Sequence, residues 1–111
     1  MAYKFANSSY TVLEGVEVIR DHAFYNCTSL RSVSLPVSLK HIGKAPFYLT
    51  GLQEITYAGT MDQFKLIKTD VEVFFSEDGL DRLDVYWYQT YDYSGVTTVK
   101  CSDGILNLLE L

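Results

Sequence analysis

The chain has 111 residues, of which 48% are apolar and 21% are charged, a composition typical of one folded domain. This length excludes a multidomain enzyme with an interdomain cleft, and nine Tyr, six Phe and one Trp argue against a disordered tail. Nine Lys and Arg against fourteen Asp and Glu give a net charge of −5, which disfavours nucleic acid as a partner. We expect a single domain over residues 1–111.

The N-terminal residues do not resemble an export signal. Residues 1–7 lack the apolar stretch of roughly 7–15 residues found in signal peptides, and no run approaches the roughly 20 residues of a membrane span. We therefore expect a protein that is cytoplasmic or part of a larger assembly, such as a virion or a cell surface, rather than exported by the general route. Cys27 and Cys101 are too few and too far apart for a disulfide framework and are expected as buried thiols.

The first half of the chain contains an internal repeat. The pattern V-x3-V-x2-I-x3-A-F-Y from Val12 returns from Leu35 as L-x3-L-x2-I-x2-A-x-F-Y, an offset of 23 residues. L-x2-V-x-L from Leu30 then returns from Leu52 as L-x2-I-x-Y, an offset of 22 residues, because the loop after Tyr48 is one residue shorter. A period of this size falls within the range of leucine-rich repeats, about 20–29 residues.

The repeat predicts a series of stacked strands. A half-strand at residues 10–12 is followed by strands at 30–35 and 52–57, in which alternate residues such as Val33 and Leu35 face inward. Single helical turns are expected after Ile19 and Ile42, where apolar residues recur at helical spacing. Together these elements predict an α/β leucine-rich repeat solenoid of about two and a half turns over residues 10–59.

The first turn of the repeat carries a family hallmark. Ala23 and Phe24 form an Ala-Phe pair, Cys27 follows, and the next strand is rich in Leu and ends at Pro36. This combination resembles the BspA-like (Treponema pallidum type) leucine-rich repeat. The resemblance implies a non-enzymatic interaction module of a kind often found on cell-surface or phage-borne proteins.

The resemblance is uneven along the chain. In the second turn Pro46 separates Ala45 from Phe47, and no Cys follows. Residues 55–64 and 98–105 are similar to the C-terminal ends of the family, so the likeness covers about residues 10–67 and 97–106.

Residues 60–111 are expected to form a C-terminal α+β cap that contains antiparallel strands and covers the end of the solenoid. Thr60 to Gln63 has the form of a capping box, and a short helix after it should bury Phe64 and Ile67. Later elements are predicted as strands and turns of the cap: a strand at 71–75, a turn at 76–79, strands at 83–89 and 96–102, an Asp103-Gly104 turn and a returning strand at 105–111.

A catalytic site is not indicated. Arg20-Asp21-His22 is the nearest grouping of reactive side chains, yet no Ser or Cys stands in a recognisable nucleophile signature. His22 and His41 occupy different places in the repeat and are expected as surface histidines on its convex side. The two His and two Cys match no zinc spacing, and the acidic stretch at 77–84 lacks the alternating carboxylates of an EF-hand loop. We expect no enzyme, no metal site and no cofactor.

The outward strand positions predict a polar surface with two columns of side chains: Thr11, Ser34 and Thr56 in one, and Ser9, Ser32 and Glu54 in the other. Binding hot spots are usually Trp, Tyr or Arg, and only Arg31 qualifies on this surface. The surface therefore predicts either weak binding, with Arg31 and Glu54 as its candidate contacts, or a surface that is simply solvated.

A cluster of five aromatic residues is the stronger candidate binding site. It consists of Tyr86, Trp87, Tyr88, Tyr91 and Tyr93. Some of these side chains must fill the core of the cap. If Tyr88, Tyr91 and Tyr93 are exposed together, they form a patch that can anchor a protein partner or stack on sugar rings.

These observations predict a non-enzymatic protein-protein interaction or structural module whose partner is a protein or a larger assembly. Self-association is left open. One alternative is a structural component of a virion or cell-surface assembly. Another is a carbohydrate-binding adhesin module that uses the cluster from Tyr86 to Tyr93.

Overall fold

A computed structural model describes residues 8–75, 82–90 and 96–110. In chain order its elements are β1 (Ser9–Thr11), β2 (Val18–Ile19), β3 (Ser32–Leu35), β4 (His41–Ile42), β5 (Glu54–Tyr57), α1 (Met61–Lys65), β6 (Lys68–Thr69), β7 (Val71–Phe75), β8 (Arg82–Tyr86), β9 (Thr98–Cys101), β10 (Gly104–Asn107) and a 3₁₀ helix (Leu108–Glu110). Most of the regular structure is therefore β-strand.

The main sheet has five strands in the order β1-β3-β5-β9-β10. β1, β3 and β5 run parallel, and their register pairs Ser9 with Ser32 and Ser32 with Glu54, offsets of 23 and 22 residues. One period of the sequence repeat thus equals one step between neighbouring strands. The register confirms the two predicted columns of outward side chains: Thr11, Ser34 and Thr56, and Ser9, Ser32 and Glu54.

The segments between these strands correct the predicted fold class. The α/β solenoid is wrong, because the segments after β2 and β4 are turns and not helical turns. His22, Asn26, Ala45 and Leu49 have φ angles of 58°, 64°, 44° and 62°, in the left-handed region, whereas an α-helix needs φ near −63°. His22 and Ala45 occupy equivalent positions 23 residues apart, as do Asn26 and Leu49, so both repeats avoid the helix in the same way.

Backbone hydrogen bonds join the two turns to each other. The N–H groups of the first turn donate to carbonyls of the second at 2.9, 2.8 and 3.0 Å: His22 to Lys44, Phe24 to Pro46, and Asn26 to Tyr48. The short strands β2, β4 and β6 form a parallel three-stranded sheet in the same stack. The backbone groups that a helix would satisfy internally are therefore satisfied between repeats.

The predicted α+β cap is also wrong, because its described part is almost entirely β-strand. Among the described residues the only α-helix is α1, which has five residues. β6 extends the parallel sheet of β2 and β4, β7 and β8 form an antiparallel hairpin, and β9 and β10 extend the main sheet. The division into repeats over 10–59 and a cap over 60–111 stays a prediction.

The later predicted elements fall close to their observed places. A strand covers 71–75 as expected, while the strand predicted at 83–89 runs from Arg82 to Tyr86. The hairpin turn is Ser102-Asp103, one residue before the expected Asp103-Gly104, because Gly104 already pairs with Cys101. The turn predicted at 76–79 lies outside the described residues.

A column of aromatic rings in contact, one pair of them stacked, organises the core. Phe24 and Phe47, the equivalent residues of the two repeats, stack with ring centroids 5.4 Å apart and an interplanar angle of 11°. Trp87 lies 6.3 Å from Phe47 and 5.9 Å from Phe64, which in turn lies 5.2 Å from Tyr57. Trp87 therefore continues the phenylalanine column beyond the second repeat and closes its end.

The repeat position of Cys27 is taken by Thr50 in the second turn. The backbone N–H of Cys27 donates to Phe24 at 3.0 Å, and that of Thr50 donates to Phe47 at 3.1 Å. The Thr50 hydroxyl also donates to the Phe47 carbonyl at 2.6 Å, which satisfies it in the core. Both cysteines are free and half-buried rather than fully buried, and burial raises the pKa of each thiol.

The predicted capping box at the start of α1 is confirmed. The Thr60 hydroxyl accepts from the Gln63 N–H at 3.1 Å, and the Gln63 side chain accepts from the Thr60 N–H at 2.8 Å. As expected, Phe64 and Ile67 are buried. The loop to β10 also supports the helix, because Asp103 accepts from the Met61 N–H at 2.9 Å.

Thr60→Ala is expected to lower the free energy of unfolding by about 1 kcal/mol, because it leaves an N-terminal N–H of α1 without its acceptor. Urea denaturation measures the change. Lys65→Ala, an exposed change at the other end of α1, is the control and should stay within about 0.5 kcal/mol. Equal losses for the two variants would contradict the prediction.

Candidate functional site

Two tyrosines of the predicted aromatic cluster form a stacked pair at the end of β8. The Tyr86 and Tyr88 ring centroids lie 5.8 Å apart with an interplanar angle of 12°. Trp87, between them in sequence, is buried. The Gln89 side chain accepts from the Tyr86 N–H at 2.5 Å, and the Gln89 N–H donates to the Tyr86 carbonyl at 3.0 Å, so a closed turn holds the pair.

Two valines of β7 lie on the same side of the hairpin as Tyr86. The register pairs Val71 with Tyr86 and Val73 with Asp84. Val71, Val73 and Tyr86 are 36%, 37% and 44% exposed, and Asp84 is half-buried. We name Val71, Val73, Tyr86 and Tyr88 the hairpin face. Three of its four side chains are exposed, while Tyr88 also packs against the hydrophobic core. Adjacent exposed apolar side chains mark interaction sites more often than scattered ones do.

Tyr88 is half-buried within this face. Burial raises the pKa of its phenol, and the neighbouring Tyr86 phenol acts in the same direction. Both effects favour the neutral, protonated phenol. The Tyr88 ring also meets the edge of Trp87 at 5.5 Å with an interplanar angle of 87°. Tyr91 and Tyr93, the other predicted members, lie outside the described residues.

The two predicted contacts of the polar surface do not lie on the hairpin. Glu54 begins β5 of the main sheet, and Arg31 immediately precedes β3. Arg31 donates to the carbonyls of Thr28 and Leu30 at 2.7 and 3.2 Å. Glu54 accepts from Lys100 at 2.9 Å, and both side chains are about half exposed. Each charged group already has an intramolecular partner, so a ligand would have to displace or share it.

Two members of the outer face of the main sheet were not predicted from the sequence. Lys100 pairs with Thr56 across β5 and β9, and Ile105 pairs with Lys100 across β9 and β10. Ile105 is 64% exposed. Alternation along residues 104–107 indicates which residues face outward, but only the tertiary structure shows that β9 lies beside β5.

The two histidines are each held by a carboxylate, another feature that the sequence did not indicate. His22 contacts Glu72 of β7, and the His41 Nε2 atom lies 2.9 Å from an Asp70 carboxylate oxygen. These pairs tie the turns of the repeat to the segment that leads into the hairpin. Partners 29 and 50 residues apart leave no local pattern in the sequence.

The Arg20-Asp21-His22 grouping does not form an acid-base pair. The Asp21 carboxylate accepts from the Lys44 N–H at 2.8 Å, a contact between repeats, while His22 is paired with Glu72. A shallow groove of about 480 Å³ is lined by Val18, Ile19, Arg20, Asp21, His41 and Gly43. Within the described residues, no three His, Cys, Asp or Glu side chains are placed to hold a metal ion. Residues 77–81 of the predicted acidic stretch lie outside that part.

The parallel strands spaced by one repeat period define a repeat protein. The family model described as BspA type leucine rich repeat region (6 copies) matches residues 2–84, and the chain belongs to this family. The resemblance seen in the sequence is thereby confirmed, although the matched range starts earlier than residue 10 and ends before 97–106. Comparisons with curated proteins and with solved structures gave no match.

Family membership indicates a protein-interaction or adhesion role, and the family is generally a non-enzymatic interaction module. In the described part of the chain, no helix is long and apolar enough to span a membrane.

Proposed function

We propose that this chain is a non-enzymatic protein-interaction module that binds a protein partner through its hairpin face. The stacked pair of Tyr86 and Tyr88 beside exposed Val71 and Val73 is the observation that carries the proposal. Tyrosines are enriched among binding hot spots because they combine a large apolar surface with a polar tip. Tyr91 and Tyr93 are proposed as further contacts.

The geometry of the hairpin suits an anchor. The closed turn at Gln89 and the edge contact between Trp87 and Tyr88 restrict both tyrosines before a partner arrives. A side chain that is already ordered loses less conformational entropy on binding. The polar face of the main sheet offers hydroxyls and two charged groups that are already paired. We therefore propose Arg31 and Glu54 only as weak peripheral contacts.

The carbohydrate-binding alternative uses the same tyrosines but receives less support from their arrangement. A sugar ring stacks on an open aromatic face, and within this pair each ring covers one face of the other. A permanent place in a virion or surface assembly is the other alternative. In that case a neighbouring subunit would cover the hairpin face.

The proposal is tested with peptides from a displayed random library selected on the wild-type chain. Tyr86→Ser combined with Tyr88→Ser should weaken their binding by about 30-fold, the effect of losing about 2 kcal/mol at a hot spot. Tyr25→Ser combined with Tyr48→Ser is the matched control, because these tyrosines form another pair, with ring centroids 6.0 Å apart and Tyr25 exposed. The control should change binding less than threefold, roughly the limit for a peripheral contact.

Two results would contradict the proposal: selected peptides that bind both double variants equally, or a selection that gives no binder. A glycan panel probed with the same proteins separates the alternative. If a glycan binds the wild type but not the Tyr86 and Tyr88 double variant, the ligand of the hairpin face is a carbohydrate and not a protein.

A further inference from the structure

β10 is the last strand of the main sheet in the described chain, and its outer edge carries backbone groups that point away from β9. The Leu108 N–H donates to the Thr97 carbonyl at 2.7 Å, which makes Thr97 and Leu108 a hydrogen-bonded pair of the antiparallel ladder. Such pairs alternate, so Leu106 and Gly104 also bond to β9. The N–H and C=O groups of Ile105 and Asn107 therefore face outward.

The side chains of this edge do nothing to block further pairing. Natural edge strands are usually protected by a charged residue, a proline or a bulge. Residues 104–109 have the sequence Gly-Ile-Leu-Asn-Leu-Leu, which contains no charged residue and no proline. The β9 and β10 register is continuous, and Ile105 of β10 is 64% exposed. Leu109, in the 3₁₀ helix that follows the strand, is 67% exposed. The edge thus combines outward hydrogen-bonding groups with exposed aliphatic side chains.

We propose that β10 is a self-association edge, where β10 of a second copy of this chain adds antiparallel about a two-fold axis at Leu106. In this register Ile105 of each copy lies opposite Asn107 of the other, and each of these two pairs forms two backbone hydrogen bonds. Leu106 lies opposite its own equivalent on the inner, apolar side. The two five-stranded sheets become one sheet of ten strands.

A second copy fits this edge because the strand complements itself. An isologous contact must present the same residues from both sides, and the outward residues 105 and 107 are spaced so that each meets the other. Two chains of net charge −5 repel each other, yet β10 itself contains no charged residue. An uncharged edge is therefore where two copies of this acidic protein can approach most closely.

The test measures mass against concentration by sedimentation equilibrium. The wild type should shift from 12.6 kDa towards twice that mass as its concentration rises. Asn107→Pro removes one outward N–H from each copy, two of the four interchain bonds, and should weaken the dimer at least tenfold. Asn107→Ala is the matched control, since both variants lose the side-chain oxygen that accepts from Leu109 but only the proline loses the N–H.

Ile105→Lys is a second variant that tests the same contact if the Asn107→Pro variant does not fold. A lysine on the outer side of the strand should also abolish the dimer, although it lowers the net negative charge and the general repulsion. Ile105→Thr keeps a β-branched side chain and should still dimerise. The fluorescence of buried Trp87 reports that each variant is folded.

A cross-linking experiment tests the register. In a background with Cys27→Ala and Cys101→Ala, a mixture of Ile105→Cys and Asn107→Cys chains should form mixed disulfide dimers faster than either chain alone. A wild type that stays monomeric, or a dimer that persists in both Asn107→Pro and Ile105→Lys, would overturn the proposal. Loss of the dimer in the Tyr86 and Tyr88 variant would also overturn it, by placing the contact on the hairpin face.

Discussion

Phe47→Ala is expected to lower the free energy of unfolding by about 3–5 kcal/mol, because it removes the central ring of the aromatic column. Phe47 is completely buried, and its ring lies between Phe24 at 5.4 Å and Trp87 at 6.3 Å. The substitution opens a cavity in the middle of the column, and the neighbouring rings lose their contacts with Phe47. Domains of this size have about 5–15 kcal/mol of stability, so the variant loses a large share of it.

Urea denaturation measures this change, with Trp87, the only tryptophan of the chain, as a fluorescent reporter beside the cavity. Tyr25→Ala is the control, because Tyr25 is an exposed aromatic residue next to Phe24 in the same turn. We expect the control to cost less than about 1 kcal/mol. If Phe47→Ala lowers the free energy of unfolding no more than Tyr25→Ala does, the aromatic column does not contribute to the stability of the stacked repeats.

Gly43→Ala is expected to cost about 1–3 kcal/mol, because two repeats approach each other at this residue. A Cβ at Gly43 would lie 2.6 Å from the backbone N of Asp21 and 3.0 Å from the carbonyl carbon of Arg20. Both atoms belong to the backbone of the preceding repeat and cannot move alone. The Gly43 N–H also donates to the Ile19 carbonyl at 2.7 Å, so a shift would strain the pairing of β2 with β4.

Gly51→Ala is the matched control for the Gly43 variant. A Cβ at Gly51 would meet the Arg31 guanidinium, whose Cζ atom lies 2.7 Å away, and this is the end of a flexible side chain. We expect a smaller loss than for Gly43→Ala, below about 1 kcal/mol, because Arg31 can move away at the cost of its hydrogen bonds to the carbonyls of Thr28 and Leu30. Thermal unfolding compares the two variants. Equal losses of stability in the two variants would show that the close approach of the two backbones at Gly43 does not determine the cost of the substitution.

The sequence alone was sufficient for the period of the repeat, the parallel register and the capping box. Val33, Leu35 and Ile55 mark the inward face by alternation, and the offsets of 23 and 22 residues reappear as strand pairs. These features depend on residues close together in sequence or on a repeated spacing. Local patterns of that kind predict local structure well.

The fold class could not be predicted in the same way. The spacing of Ile19, Ala23 and Phe24 fits a helical turn, yet the left-handed φ angles of His22 and Asn26 exclude one. Asn and His adopt left-handed angles more often than most residues other than glycine, but they do so in a minority of cases, so their presence alone does not predict these angles. Pairing with the neighbouring turn at Lys44 to Tyr48 satisfies the backbone instead, and that pairing exists only in the stacked state.

The candidate site shows the same division between local and tertiary information. The aromatic cluster was visible in the sequence, and alternation correctly distinguished buried Trp87 from exposed Tyr86, whereas Tyr88 is half-buried against the core. That Val71 and Val73 belong to the site is shown only by the pairing of β7 with β8. The partner of Glu54 was likewise not indicated by the sequence, because Lys100 is 46 residues away.

The sequence by itself determined that this protein is a BspA type repeat, which residues alternate into its core, and where α1 begins. Only the tertiary structure decided that turns replace helices, that Trp87 continues the phenylalanine column, and that β9 and β10 complete the main sheet. The physical reason is the range of the interactions. Side-chain alternation and capping act over a few residues, whereas stacking and strand order depend on contacts between segments far apart in the chain.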